Sequence, residues 1–231
     1  MSTALKTFAA LALLVFGLLH GVTAMATEEP KFEQLTQDGD YELRRYPAFI
    51  VAETWVDGDM DAASSQGFRA IADYIFGNNK SAATAGAEAS AKIAMTAPVT
   101  LEPAAPAQKI AMTAPVTLEP EAAATGTPAA LQGAKRWRVH FVMPSEYTLA
   151  TLPQPNNPAV ALREVPAKTW AVLRYSGFNS EARVQEHTND LLAWINARQL
   201  VPVGNPQLAR YDPPWTLPMF RRNEILMEVK P

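Results

Sequence analysis

The chain has 231 residues, with 20 basic against 23 acidic side chains, three histidines and no cysteine. Without cysteine there is neither a disulfide framework nor a thiol for lipid attachment, and with so few histidines a transition-metal site built on several N or S ligands is not expected. No basic run interleaved with aromatics marks a nucleic-acid surface, so DNA and RNA are not expected partners.

The first segment reads as a targeting sequence. Lys6 supplies a positive start, Phe8 to Leu19 is almost continuously apolar, and Ala24-Met25-Ala26 offers a small-x-small cleavage site. Residues 1–26 are therefore expected to be a signal peptide, cut after Ala26, that sends a single domain of residues 27–231 to the periplasm or out of the cell. The alternative is an uncleaved anchor, but the apolar run is short for a span of about twenty residues. With Lys6 gone, the mature chain keeps 19 basic and 23 acidic residues, net −4.

Two halves follow. Leu43 to Ala52 (LRRYPAFIVA) aligns with Leu162 to Ala171 (LREVPAKTWA) at an offset of 119 residues. Phe49 to Val56 reads as a strand, and Asp61 to Phe76 as a helix with Phe68, Ile71, Ala72 and Ile75 on one stripe. In the second half, Thr169 to Tyr175 is the strand. The helix runs from Ser180 to Arg198, with Val184, Leu191 and Ile195 on its stripe. Each helix is followed by two more strands. In the first half these are a KIAMTAPVT segment and Arg136 to Met143; in the second they are Gln207 to Tyr211 and Glu224 to Val229. A strand-helix-strand-strand unit cannot cover its own apolar face, so two of them are expected to share one curved antiparallel sheet with both helices outside.

Between the halves of the first unit lies an Ala-rich insert, residues 78–135, expected to be mobile. It carries the sequence KIAMTAPVTLEP twice, at Lys92–Pro103 and Lys109–Pro120. Local alternation puts Ile, Met, Ala, Val and Leu on one side in both copies, so neither is favoured for the sheet, and the two could also pair as a hairpin. Pro98 and its counterpart lack the ladder N–H, which points to an edge position or a bulge.

No nucleophile elbow, phosphate loop or dinucleotide fingerprint occurs. His187 sits on the margin of the second helix's apolar stripe, as a satisfied side chain or as an axial ligand to haem iron. His140 alternates against Trp137, Val139 and Phe141 and is expected on a polar sheet face. Met95 and Met112 are expected in the core. Tyr211 to Arg222 (YDPPWTLPMFRR) places large apolar groups beside two arginines on the connection before the last strand. It reads either as a surface for a flat amphipathic ligand with carboxylates or as a plug for the end of the barrel.

Several blocks together resemble the SOUL haem-binding family: Tyr41-Glu42-Leu43-Arg44-Arg45-Tyr46, Gly67-Phe68-Arg69, Tyr74-Ile75-Phe76-Gly77 and the KIAMTAPV strand. Phe141-Val142-Met143-Pro144-Ser145, Ala209 to Trp215, and Arg221-Arg222-Asn223-Glu224 extend the likeness. It implies an α+β fold, a distorted antiparallel β-barrel with two flanking helices and pseudo-two-fold halves. It also implies a shallow site for haem or another porphyrin, held with low specificity, between the first helix and the loop before the last strand. Carried over by position, the site comprises Phe68, Arg69, Ile71, Ala72, Ile75, Trp215, Met219, Phe220, Arg221 and Arg222. Some members carry a ligand histidine where this chain has Arg45, so iron coordination by that route is not expected. The implied function is non-catalytic tetrapyrrole binding, by apolar contact and Arg–propionate pairing. The alternatives are an enzyme of related fold acting on small apolar or porphyrin substrates, and a general carrier of hydrophobic ligands.

Overall fold

A computed structural model describes residues 28–80, 109–121 and 131–230. The signal-peptide segment and the first KIAMTAPVTLEP copy lie outside these residues. The alternating segments form strands β1 (Glu33–Asp38), β2 (Tyr41–Tyr46), β3 (Phe49–Asp57), β4 (Asn79–Lys80), β5 (Val116–Pro120) and β6 (Arg136–Val142). Then come β7 (Gln154–Pro155), β8 (Ala161–Val165), β9 (Lys168–Tyr175), β10 (Val201–Arg210) and β11 (Asn223–Lys230). Helix α1 (Met60–Ile75) starts where the Asp59 carboxylate accepts the Ala62 amide, and α2 (Glu181–Ala197) where Ser180 Oγ accepts that of Arg183. Each such cap satisfies one otherwise orphaned helix-start N–H.

Nine strands make one sheet in the order β1-β2-β9-β11-β10-β5-β6-β3-β8, and every ladder in it is antiparallel. The 119-residue offset is visible in this order. Shifting β2 and β3 by that amount gives β8 and β9, and with β5 matched to β10 and β6 to β11 the sheet reads as two equivalent four-strand halves about the β10–β5 ladder. Each half also lends its first strand to the other, since β2 pairs with β9 and β8 with β3.

The sheet is rolled. One small chamber is lined from seven strands, β2 through β9, β11, β10, β5 and β6 to β3. Flat strands spaced about 4.8 Å apart would hold the outer two of those roughly 29 Å from each other. The ladders nonetheless have two ends, β1 and β8, and among the described residues no pairing joins them, so the expected barrel closure is not seen.

Both helices cover one face, α1 against β3 and β6 and α2 against β9, β10 and β11. Ile71, Tyr74, Ile75, Val184, Leu191 and Ile195 there meet Trp137, Val139, Phe141, Leu118, Leu208 and Ile225 in one continuous core. Contact is closest at Gly67, where an added Cβ would stand 2.5 Å from Val139.

The second copy of the repeat supplies β5. It is flanked by β10 and β6, so the edge position expected from the proline is corrected. Pro115 precedes the strand, and the missing N–H is never required by the ladder. The expected one-sided burial also fails, because Thr113, Pro115 and Thr117 are buried as well as Ile110 and Leu118. A central strand of a rolled sheet is dry on both faces. Met112 packs against the core as expected, while Met95 lies outside the described residues.

Candidate functional site

Cross-strand register places Tyr175, Asn223, Arg210, Val116, Phe141 and Ala52 in one row on the helix-bearing face. The helices cover the ends of the row. Phe68 of α1 lies over Phe141 with ring centroids 5.7 Å apart, and His187 of α2 over Tyr175 at 4.1 Å. Asn223, Arg210 and Val116 are the middle of the row. Arg210 reaches to α1, donating from Nη2 to Asp61 Oδ1 (2.9 Å) and from Nη1 to Ser64 Oγ (3.4 Å). On the other side, Tyr175 Oη donates to Asn179, Asn179 Nδ2 to Asn223, and Asn223 Nδ2 to the Gly177 carbonyl. Burial raises the Tyr175 pKa against the opposing pull of Arg210 and Arg183, so its hydroxyl stays a donor. Two buried nitrogens in this neighbourhood, Arg210 Nε and His187 Nε2, have no partner.

The connection from β10 to β11 leaves the row at Arg210 and rejoins it at Asn223. Its internal hydrogen bonds preorganise it: Tyr211 N to Arg222 O, Arg222 N to Asp212 Oδ2, Thr216 N to Pro213 O, and Phe220 N to Leu217 O. Arg221 ties it across, from Nε to the Thr216 carbonyl (2.7 Å) and from Nη2 to that of Pro214 (2.5 Å). Gly177 N donates to Pro218 O, which locks the loop to the β9–α2 turn. Held in this way, the loop turns its apolar side chains outward: Trp215 is 84% exposed, Phe220 71% and Met219 65%, with Phe178 of the neighbouring turn at 61%. These side chains do not plug the end of the sheet. Contiguous exposed apolar surface of this kind marks a binding surface.

Nine of the ten residues expected at the site separate into three groups, and Arg222 stands apart from them. Trp215, Met219, Phe220 and Arg221 share the loop, while Phe68 and Arg69 are exposed on α1. No hydrogen bond, ion pair or ring contact links these two to the loop among the described residues, and Arg69 has no partner there. Ile71, Ala72 and Ile75 are buried against the sheet and form core rather than ligand surface. A helix stripe can face one thing, and here it faces β3 and β6.

Arg222 is neither solvated nor free. It donates from Nε and Nη2 to Glu224 Oε1 and from Nη1 to Glu29, and lies 3.8 Å over the Tyr211 ring. Glu224 is fully buried and also accepts from Arg44 through both oxygens (2.9 and 3.1 Å) and from Tyr211 Oη (2.7 Å). Burial alone would raise its pKa; Arg44, Arg222 and Tyr211 together outweigh that and hold it below the ordinary carboxylate range. Sequence reasoning did not find Arg44, Arg210, Asn223 or Glu224 as partners, although all four stand in the blocks that carry the family likeness. Nothing in their local pattern tells which strands meet. Arg45, at the position where a ligand histidine occurs in some relatives, is exposed and paired with Glu33 at 3.0 Å.

The model of the family described as SOUL heme-binding protein matches residues 27–228. The chain belongs to the SOUL haem-binding family. No curated protein matches it closely enough to count. Among solved structures, this SOUL chain resembles the C-terminal domain of EcmrR, at 13% identity and TM-score 0.51 over 85% of this chain and 98% of that one. A hydrolase from Listeria innocua gives 13%, 0.50, 85% and 94%, and an uncharacterized conserved protein from the same organism 11%, 0.51, 81% and 92%. At such identities the likeness speaks of fold alone. The family is a tetrapyrrole-binding one, and the loop's chemistry fits a ring: exposed apolar groups stand on it with Arg221, whose guanidinium lies 5.8 Å from the Phe178 ring centroid. No helix among the described residues is long and apolar enough to cross a membrane.

Proposed function

We propose that the protein is exported and holds haem or a related tetrapyrrole against the rigid 211–222 loop and the outer side of α1, without catalysing a reaction. One observation carries this reading: a loop stiffened by its own hydrogen bonds shows Trp215, Met219 and Phe220 to solvent beside Phe178. Prior ordering spares much of the entropic cost of binding, and apolar contact supplies about 25 cal/mol per Å² covered. Arg69 and Arg221 pair with the propionates; Arg222 is committed to Glu224. The ring rather than the iron is recognised, since Arg45 replaces the ligand histidine.

Titration of the mature protein with hemin and with iron-free protoporphyrin tests this. The expected result is affinities within about threefold of each other, with both weakened roughly tenfold or more by Trp215→Ala combined with Phe220→Ala. Hemin binding unaffected by that pair would refute the location, and a large preference for hemin would refute the absence of iron ligation. Export is tested by N-terminal sequencing of protein from the periplasm or medium, which should begin at Thr27.

A further inference from the structure

We propose a second ligand site, on the sheet face turned away from the helices, that takes a small uncharged ring compound bearing a hydrogen-bonding group. That face is the inside of the rolled sheet. A cavity of about 330 Å³ opens at the rim of that face beneath Glu28 to Lys31, walled by its Phe49 and Val142, by Ile50 and Met143 of the helix-side core, and by Pro47 and Pro144. Its roof is fixed at Glu28 and Glu29. Ala114 N donates to the Glu28 carbonyl (3.0 Å), Ser145 N to Glu28 Oε1 (3.1 Å) and Arg222 to Glu29.

Size and charge define the occupant. The volume is at the lower end of small-molecule pockets, roughly 300–1,000 Å³, which suits one or two rings. Of the charged residues lining the cavity, Glu29 is paired with Arg222, which leaves Glu28 and Glu164 against the one cation Lys31. Burial-opposing hydrogen bonds from Ser145 keep the Glu28 carboxyl below its ordinary range and hence ionised. Anions are therefore repelled, the opposite of what the tetrapyrrole face requires.

The polar anchor is His140. A second chamber of about 40 Å³ shares Pro30, Phe49 and Val142 with the first and has His140 on its wall. His140 is 6% exposed and its Nδ1 has no partner. Leaving a buried ring nitrogen unmade costs free energy, so a hydrogen-bonding group presented from the larger cavity gains there. The small chamber has room for one bridging water.

The test uses indole, its isostere indene, and indole-3-acetate as probes, followed by amide chemical shifts of the whole mature protein. Indole should bind saturably, shifting Phe49, Val142, Met143 and Ser145 but not residues 213–220. Indene should bind at least threefold and indole-3-acetate at least tenfold more weakly. Leu149→Trp, at the exposed mouth of the cavity, should abolish indole binding and leave hemin titration unchanged. His140→Phe should erase the difference between indole and indene. Shifts that never saturate, or that map to residues 213–220, overturn the second site, and indole-3-acetate binding as tightly as indole overturns the charge argument. Loss of hemin binding with indole binding intact would count against the tetrapyrrole reading alone.

Discussion

Removing the imidazole of His140 should change how the fold responds to acid. Burial, reinforced by Arg138 and Arg163, pushes this histidine down to about 3 from an ordinary 6.5. The unfolded chain takes up the proton near 6.5 and the folded chain only near 3, so between those values the unfolded state binds more protons. Stability therefore rises with pH across this window and is lost on acidification, at about 1.4 kcal/mol per pH unit, reaching on the order of 5 kcal/mol at pH 3. Other groups titrate in the same direction, notably Glu224 with its depressed pKa, so the comparison must be a difference. His140→Leu removes no hydrogen bond from Nδ1, which makes none. It should lie within about 1.5 kcal/mol of wild type at pH 7 and be more stable than wild type by about 3 kcal/mol at pH 4. Urea unfolding at intervals from pH 4 to 7, followed by tryptophan fluorescence, reads this directly. Parallel pH profiles for the two proteins would refute the argument, as would a His140 ring resonance that titrates between pH 5 and 8.

Three further perturbations probe other parts of the fold. Arg44→Met strips the fully buried Glu224 of its bidentate partner and should cost about 3–5 kcal/mol at pH 7, seen as a lowered urea midpoint; a loss under 1 kcal/mol would mean Arg222 and Tyr211 suffice. Gly67→Ala drives a methyl into Val139 at 2.5 Å and should cost about 1–3 kcal/mol, most of it absent in a Val139→Ala background, as a double-mutant cycle would report. Leu118→Ala, in the repeat copy that forms β5, should cost about 2–5 kcal/mol, whereas Leu101→Ala in the first copy should stay within about 0.5 kcal/mol. Comparable losses in the two would mean that both copies contribute to the native core.

Element types were largely legible because each segment's periodicity answers to a single buried face. The stripe Ile71, Ala72 and Ile75 announced a helix, and the alternation around Trp137 announced β6. What periodicity could not supply was the identity of the neighbour. The same stripe was assigned to a ligand by resemblance, yet the sheet occupies it. His140 looked solvent-facing by alternation with apolar residues, and would be so on a flat sheet with one wet side. Rolling the sheet turns that side inward. The loop's apolar residues were visible as composition, but their outward display rests on Arg221 reaching back to carbonyls five and seven residues away.

Local period, the 119-residue offset and the ordered blocks are properties of the string, and the two-helix α+β class, the doubled unit and the family follow from them. Identical segments have identical local preferences, so the choice of a repeat copy for β5 was made by long-range contacts. The second copy enters because its ends meet partners: Ile110 N bonds to Ile75 O, Ala114 N to Glu28 O, and Val116–Leu118 lie between β10 and β6. The buried Arg44–Glu224–Arg222 cluster was decided in the same way. Its members are up to 180 positions apart in the chain, and their charges acquire meaning only where strand register makes them neighbours in a dry interior.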